Sequence, residues 1–261
     1  MGSEMNFETI LFEVRGDGIA RLVLNRPKKL NSFTARMHAE IRQALYQMEE
    51  TRTARVLEIT GAGRAFCAGQ DLSEEEADLG AAIERDYAPL VRRLRALSIP
   101  VVAAVNGVAA GAGANLAFAC DVAIATKSAS FIQSFSKVGL MPDTGGTYFL
   151  PRLAGTARAM GLALFAERIS AEQAANWGLI WRCVDDDQFD GTVEDILHEL
   201  AGGPTEAFAR TKQAIYASAE NTFEKQLKLE GDSMRKLGYS RDYREGVAAF
   251  LEKRAPRFRG E

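Results

Sequence analysis

The chain has only three cysteines and two histidines in 261 residues. Cys67, Cys120 and Cys183 are spaced neither as a CxxC pair nor as a metal knuckle. Disulfide scaffolds, thiol redox motifs and zinc ribbons are therefore set aside, and buried thiols are the plain reading. His38 and His198 stand far apart in helical patterns, so no histidine pair is at hand for a metal. No apolar run reaches membrane-spanning length; the longest, from Ile99 to Val105 and onward, is broken by Gly107, Gly111 and Gly113. Met1-Gly2-Ser3-Glu4-Met5 lacks the apolar segment of a secretion signal, and a cytoplasmic location is expected. Positive charge is not in excess: the formal net charge is −3, so the basic footprint of a nucleic-acid binder is missing. There is no low-complexity stretch and no precise internal repeat.

What is present reads as an ordinary soluble globular protein. Hydrophobic residues make up 47% of the chain, enough for a core that needs no staples. Thr9 to Val14 and Ile19 to Leu24 read as a hairpin around Gly16-Asp17-Gly18. Ser32 or Thr34 is placed to cap a helix running to about Glu50, with Met37, Ile41, Leu45 and Met48 as its buried stripe. Val56 to Thr60, Pro100 to Val105, Asp121 to Thr126 and Leu179 to Val184 read as short strands. A polar, acidic helix is expected from about Glu74, and another from Tyr87 to Leu97. Ser170-Ala171-Glu172-Gln173 has the form of a capping box. Past Gly203-Pro204 come three amphipathic helices, from about Glu206, Thr222 and Arg241. A loose β-β-α rhythm, seen at Thr9 to Glu50 and Val56 to Leu97, suggests stacked turns.

Three features carry candidate chemistry. Gly107-Val108-Ala109-Ala110-Gly111-Ala112-Gly113-Ala114-Asn115 follows a strand and opens a short apolar helix. Free backbone N–H groups at such a helix start can hold a phosphate or a developing oxyanion. A second loop, Phe66-Cys67-Ala68-Gly69-Gln70-Asp71, also follows a strand, and two loops can converge on one carbonyl oxygen. Neither Gly61-Ala62-Gly63 nor Gly111-Ala112-Gly113 completes the G-x-G-x-x-G of a dinucleotide site. Asp143 stands among Leu140, Met141 and Pro142, where desolvation would make it a better base; as an N-cap for the next helix it reads equally well. One Asp-Thr-Gly triplet does not supply the paired aspartates of an aspartic peptidase. The basic tail, Lys253-Arg254 with Arg257 and Arg259, meets phosphates or is simply a solvated helix end.

Taken in order, Leu24-Asn25-Arg26-Pro27-Lys28-Lys29-Leu30-Asn31, Ala65-Phe66-Cys67-Ala68-Gly69-Gln70-Asp71-Leu72, Asn106 to Asp121 and Gly139 to Thr147 resemble the crotonase (enoyl-CoA hydratase/isomerase) superfamily. The resemblance covers essentially the whole chain. It implies an α/β fold, a spiral of β-β-α units over residues 1–200 that carries an acyl-CoA site. Residues 201–261 would form a C-terminal helical region used in trimer contacts, with trimers pairing into hexamers. It implies no metal and no separate cofactor, coenzyme A being part of the substrate. It also implies a thioester oxyanion hole from the N–H groups of Ala68 and Ala112. Ala68, Gly69, Gln70, Asp71 and Leu72 would line the acyl-CoA path, with Lys28 or Lys29 near the nucleotide. Phe250 and Lys253 match C-terminal residues that reach coenzyme A, in a neighbouring subunit.

Departures from the family pattern narrow the activity. The superfamily's hydratases use two glutamates; this chain has Asn115 and Phe135 at the matching positions, and neither moves a proton. Asp143 matches an aspartate used by some isomerases and a dehalogenase. The resemblance therefore implies an isomerase of CoA thioesters, with Asp143 as its acid/base and Asn115 holding substrate or a water. Gly107 to Asp121, Phe131-Ile132-Gln133-Ser134-Phe135, Pro142 to Thr147 and Trp177 to Arg182 look most like a branch that isomerises the ring epoxide of an aromatic acyl-CoA in phenylacetate breakdown. Phe131 and Phe135 suit an aromatic acyl group, and core packing explains them as well. Fatty enoyl-CoA isomerisation or hydration, dehalogenation, and a non-catalytic or RNA-binding member are the alternatives. The last expects a lysine-rich helix, but the helix from Thr34 mixes Arg36 and Arg42 with Glu40, Glu49 and Glu50.

Overall fold

After an opening hairpin, each turn of the chain sends one strand into each of two sheets. The computed structural model describes residues 7–261; the Met1–Met5 segment lies outside the described residues. β1 (Ile10–Val14) and β2 (Ile19–Leu24) form the expected hairpin, antiparallel with Ile10 opposite Leu24. α1 (Ala35–Thr51) follows, capped by Thr34, whose side chain accepts from the Met37 N–H. Met37, Ile41, Leu45 and Met48 make its buried stripe, as their spacing requires.

β3 (Val56–Gly61) pairs parallel with β2, and β4 (Ala65–Cys67) starts the second sheet. The acidic stretch beginning at Glu74 is not helical. α2 is the single turn Leu79–Ala82, capped by the Asp78 side chain, and it runs through a π-helical turn (Ile83–Tyr87) into α3 (Ala88–Ala96). Four consecutive acidic or polar residues offered no apolar face to dock, so tertiary packing did not hold a helix there.

The next turn gives β5 (Val101–Val105), β6 (Val108–Ala110) and α4 (Ala112–Ala119). β5 is buried along its whole length, as a strand covered on both faces must be. β6 reads in the sequence as part of a glycine turn. It is a strand because β4 and β8 lie on either side of it. The third turn gives β7 (Val122–Thr126), β8 (Ser130–Ile132), a 3-10 turn at Ser134–Val138, α5 (Gly146–Ala154) and α6 (Thr156–Phe165). β9 (Arg168–Ser170), α7 (Ala171–Asn176) and β10 (Arg182–Val184) close the spiral, and the Ser170 side chain caps α7 at the Gln173 N–H.

Six strands run in the order β1-β2-β3-β5-β7-β10, and four in the order β4-β6-β8-β9. Beyond the hairpin the first sheet is parallel. Alternation along β3 separates two cores: Leu57 and Ile59 face the main core, and Val56 faces the smaller one. α8 (Phe189–Gly202) covers that second face with Phe189, Val193, Leu197 and Ala201. α9 (Thr205–Ala217), α10 (Phe223–Leu237) and α11 (Arg241–Glu252) complete the chain. α9 is pinned to the core by buried Lys212, whose Nζ meets Asp121 at 2.8 Å and the Leu94 carbonyl at 2.8 Å. α10 buries none of its residues, and Phe223, Met234, Tyr243, Phe250 and Leu251 stand exposed on α10 and α11.

Candidate active site

Two backbone loops meet at the start of α4. Gly111, its N-cap, offers no side chain to the first N–H groups, so those donors are left for another partner. Every residue of α4 is buried, which makes those open donors costly unless something occupies them. The loop after β4 lies directly against this end. A Cβ on Gly69 (φ +92°) would sit 2.9 Å from the Ala110 carbonyl and 3.5 Å from the Ala112 nitrogen. A Cβ on Gly113 would sit 2.2 Å from the Cys67 carbonyl, so only glycine permits this approach.

Ala112 is the first residue of α4, as expected of one oxyanion donor. Ala68 is not placed for the other. Its N–H donates to the Leu30 carbonyl at 2.9 Å. The donor that sequence reasoning missed is two residues on. Gly69 accepts from Phe33 N–H at 2.8 Å, and Asp71 donates to the Phe33 carbonyl at 2.9 Å. In such an extended pairing the residue between them aims its N–H the opposite way. Gln70 is that residue, and its N–H has no acceptor among the described residues. The alternation of extended backbone was the available signal, but the partner strand at Phe33 was not legible from local sequence.

The other carboxylate of this loop is spent on structure. Asp71 pairs with Arg26 Nη2 at 2.8 Å and accepts from the Ser73 hydroxyl at 2.6 Å. The hydroxyl first, then the guanidinium, hold its carboxyl down at about 2. The Asp71 carboxylate thus staples the loop. Leu72 is exposed, as are Lys28 and Lys29 in a 3-10 turn beside the loop.

Asp143 lies between the 3-10 turn at Ser134–Val138 and α5. It does not cap α5. The Gly146 N–H goes to the Asp143 backbone carbonyl at 2.7 Å, and α5 has no side-chain cap. The carboxylate accepts from the Thr144 hydroxyl at 2.8 Å. Burial pushes its proton affinity above the ordinary carboxylate range, and the Thr144 bond partly offsets this. The Tyr87 phenol is held protonated by burial and, next, by the negative charge of Asp143. Tyr87 and Gln70 line one cavity of about 330 Å³, together with Phe33, His38 and Ala82. The His38 ring stacks on Phe33 and meets Tyr87 edge-on, and burial lowers its pKa to about 4.

Asn115 is fully buried, and both ends of its amide are bonded within the chain. Its Nδ2 donates to the Asp143 backbone carbonyl at 2.8 Å, and its Oδ1 accepts from Gln133 Nε2 at 2.9 Å. Phe131 belongs to the main core, stacked on Phe118 with centroids 5.4 Å apart, which corrects its placement at the acyl group. Phe135 is different: a Cβ on Gly111 would meet its ring edge at 3.7 Å, so it flanks the start of α4. Phe250 and Lys253 are not brought to these loops within one subunit. Phe250, 83% exposed, lines a separate apolar groove with Met234, Leu237, Val247 and Leu251. In the basic tail, Arg254 is tied to Glu245 and Glu252. A cleft of about 660 Å³ runs past Arg52, Arg210 and Lys236 and includes no residue of either donor loop. Among the described residues no group of three or more His, Cys, Asp or Glu side chains is placed to hold a metal, and no helix is long and apolar enough to cross a membrane.

Two converging backbone loops, with the desolvated Asp143 tied through its backbone to α4, make up the candidate site on a spiral β-β-α scaffold. The chain belongs to the enoyl-CoA hydratase/isomerase family, whose pattern matches residues 15–261. It is 53% identical over 251 residues to the 1,2-epoxyphenylacetyl-CoA isomerase of Escherichia coli strain K12, covering 94% of this chain and 96% of that one. It is 33% identical to a Streptococcus mutans isomerase of trans-2-decenoyl acyl-carrier-protein, covering 98% and 100%. The crystal structure of an enoyl-CoA hydratase from Bacillus anthracis superposes with a TM-score of 0.92 at 32% identity, covering 97% of this chain and 100% of that one.

Proposed function

We propose that the protein isomerises CoA thioesters, and that its substrate is 1,2-epoxyphenylacetyl-CoA, converted to the oxepin form. In this reading the thioester oxygen lies between the N–H groups of Gln70 and Ala112. Negative charge grows on it as an enolate-like state forms, where fixed donors act most strongly. Asp143 takes a proton from carbon and returns it, or steadies charge while the carbon–carbon bond shared by the epoxide and the six-membered ring breaks and both C–O bonds are kept. One observation carries the choice of isomerase over hydratase. Among the described residues Asp143 is the acidic residue whose backbone α4 holds, through Asn115, and whose carboxylate is desolvated, while Asn115 is locked in amide hydrogen bonds and Phe135 has no proton to give. Half-burial keeps Asp143 a stronger base than a solvated aspartate. The name of the relative at 53% identity supports the choice of acyl group.

The exposed apolar residues of α10 and α11 support assembly into a trimer, or a hexamer of two trimers. Such assembly would bring Phe250 and Lys253 of a neighbour toward coenzyme A. Three free cysteines fit a cytoplasmic setting.

The test is turnover on a panel of thioesters, followed by absorbance and mass spectrometry. We expect the epoxide to be consumed faster than a 3-enoyl-CoA, and Asp143→Asn to lose about 10²–10⁴-fold in kcat with thioester binding retained. Near-normal turnover by Asp143→Asn removes the base, and preference for the 3-enoyl-CoA replaces the substrate.

A further inference from the structure

We propose that Asn115 and Gln133 are positioning residues that set the direction of the Asp143 carboxylate through its backbone carbonyl. This rests on the isomerase reading above and deepens it. The backbone after Asp143 is strained. Thr144, a β-branched residue, sits at φ +52°, and Gly145 follows at φ +81°. A non-glycine residue in that region persists only where its surroundings hold it.

What holds it is visible. The Asp143 carbonyl accepts twice, from the Gly146 N–H at 2.7 Å and from Asn115 Nδ2 at 2.8 Å. Two donors fix the plane of the peptide between Asp143 and Thr144, and with it the position of the Asp143 Cα from which the side chain leaves. Asn115 reaches the carbonyl because residue 146 is glycine: a Cβ there would lie 2.4 Å from Nδ2. Turning the Asn115 amide over would aim an oxygen at the carbonyl. Gln133 adds a second penalty to that turn. Its Nε2 donates to Asn115 Oδ1 at 2.9 Å, so the Asn115 nitrogen must face Asp143. Both amides are buried, so water does not compete for these bonds.

The clamp also joins the two halves of the chemistry. Ala112 and Asn115 are three residues apart on α4, one helical turn. The same rigid turn therefore presents the Ala112 N–H to the thioester oxygen and holds the loop that carries the base. A site built this way keeps donor and base in fixed relation, and a displacement of about 1 Å costs about 10²-fold in rate.

Two variants test the clamp. Asn115→Ala removes it. Gln133→Met keeps nearly the same side-chain length, carries no charge, and removes only the amide that orients Asn115. We expect both to lower kcat about 10–100-fold with KM changed less than about threefold. We also expect the carboxyl titration of Asp143, followed by carbon-13 NMR and assigned with Asp143→Asn, to move toward the ordinary aspartate value as the side chain swings to solvent. Gln133→Met is read alone if Asn115→Ala fails to fold. A purely packing role would lower the melting temperature and leave the titration in place. An unmoved Asp143 titration in a folded Gln133→Met protein overturns the proposal. That readout needs no turnover, so a wild-type protein inactive on every thioester would sink the isomerase reading while the titration still judges the clamp.

Discussion

Replacing Thr144 by valine deletes one hydroxyl and keeps the side chain's shape. That hydroxyl donates to Asp143 Oδ1 at 2.8 Å, and it is the only side-chain donor to the carboxylate among the described residues. A donor of this kind favours the ionised form, so it holds the Asp143 proton affinity below what burial alone would set. A hydrogen bond to a charged group is worth about 1.5–3 kcal/mol. Asp143 is only partly buried, so solvent screening brings this to about 1–1.5 kcal/mol. The loss should therefore raise the Asp143 proton affinity, each step of about 1.36 kcal/mol moving a titration limb by about one pH unit. The base works only when ionised, and turnover falls as pH drops through its pKa. The acidic limb of the kcat profile in Thr144→Val should therefore move up by about one pH unit. Valine is also β-branched, so the left-handed strain at this residue is unchanged and cannot account for such a shift. The assay is kcat on the preferred thioester, from pH 4.5 to 8.5 or roughly that span, in buffers of constant ionic strength. A limb that stays put, or moves to lower pH, would refute both the hydrogen bond's role and Asp143 as the titrating base.

Other outcomes follow from the same geometry. Gly113→Ala forces a Cβ to within 2.2 Å of the Cys67 carbonyl, so the two donor loops must separate; overpacking of about 1–3 kcal/mol should lower the melting temperature by a few degrees and reduce turnover more than thioester binding. Asp71 is held at about 2, below an ordinary aspartate, so its contribution to stability is present above about pH 4 and is lost as pH falls toward 2. Arg26→Gln should flatten that part of the acid-unfolding curve; an unchanged slope would mean that the Ser73 bonds alone hold Asp71. Phe250→Glu places a charge on the apolar face of α11, 83% exposed within one subunit, and should shift the protein toward monomer in light scattering; an unaltered mass would exclude that face from assembly.

The regular elements were legible because their signals are local. The stripe Met37, Ile41, Leu45 and Met48 needs only helical spacing, and the caps Thr34 and Ser170 need only a hydroxyl three residues before a free N–H. β6 was not legible: three small apolar residues between glycines have no period of their own, and two flanking strands make the strand. Site residues divide in the same way. Asp143 was visible as a carboxylate in apolar company, but whether it capped a helix was settled by where the Gly146 N–H points. Phe131 and Phe135 look equivalent in sequence, yet one stacks in the core and the other flanks the start of α4.

The sequence by itself determined the family, the strands of the six-stranded sheet, most of the long helices, the two glycine loops and the presence of one isolated aspartate, because residue type and spacing carry that information. The tertiary structure alone decided which amides stand open, that Gln70 and not Ala68 is free, and that Asn115 bonds the Asp143 carbonyl. The direction of an N–H or an amide depends on the segment that folds alongside it, and Leu30, Phe33 and Gln133 come from distant parts of the chain to set those directions.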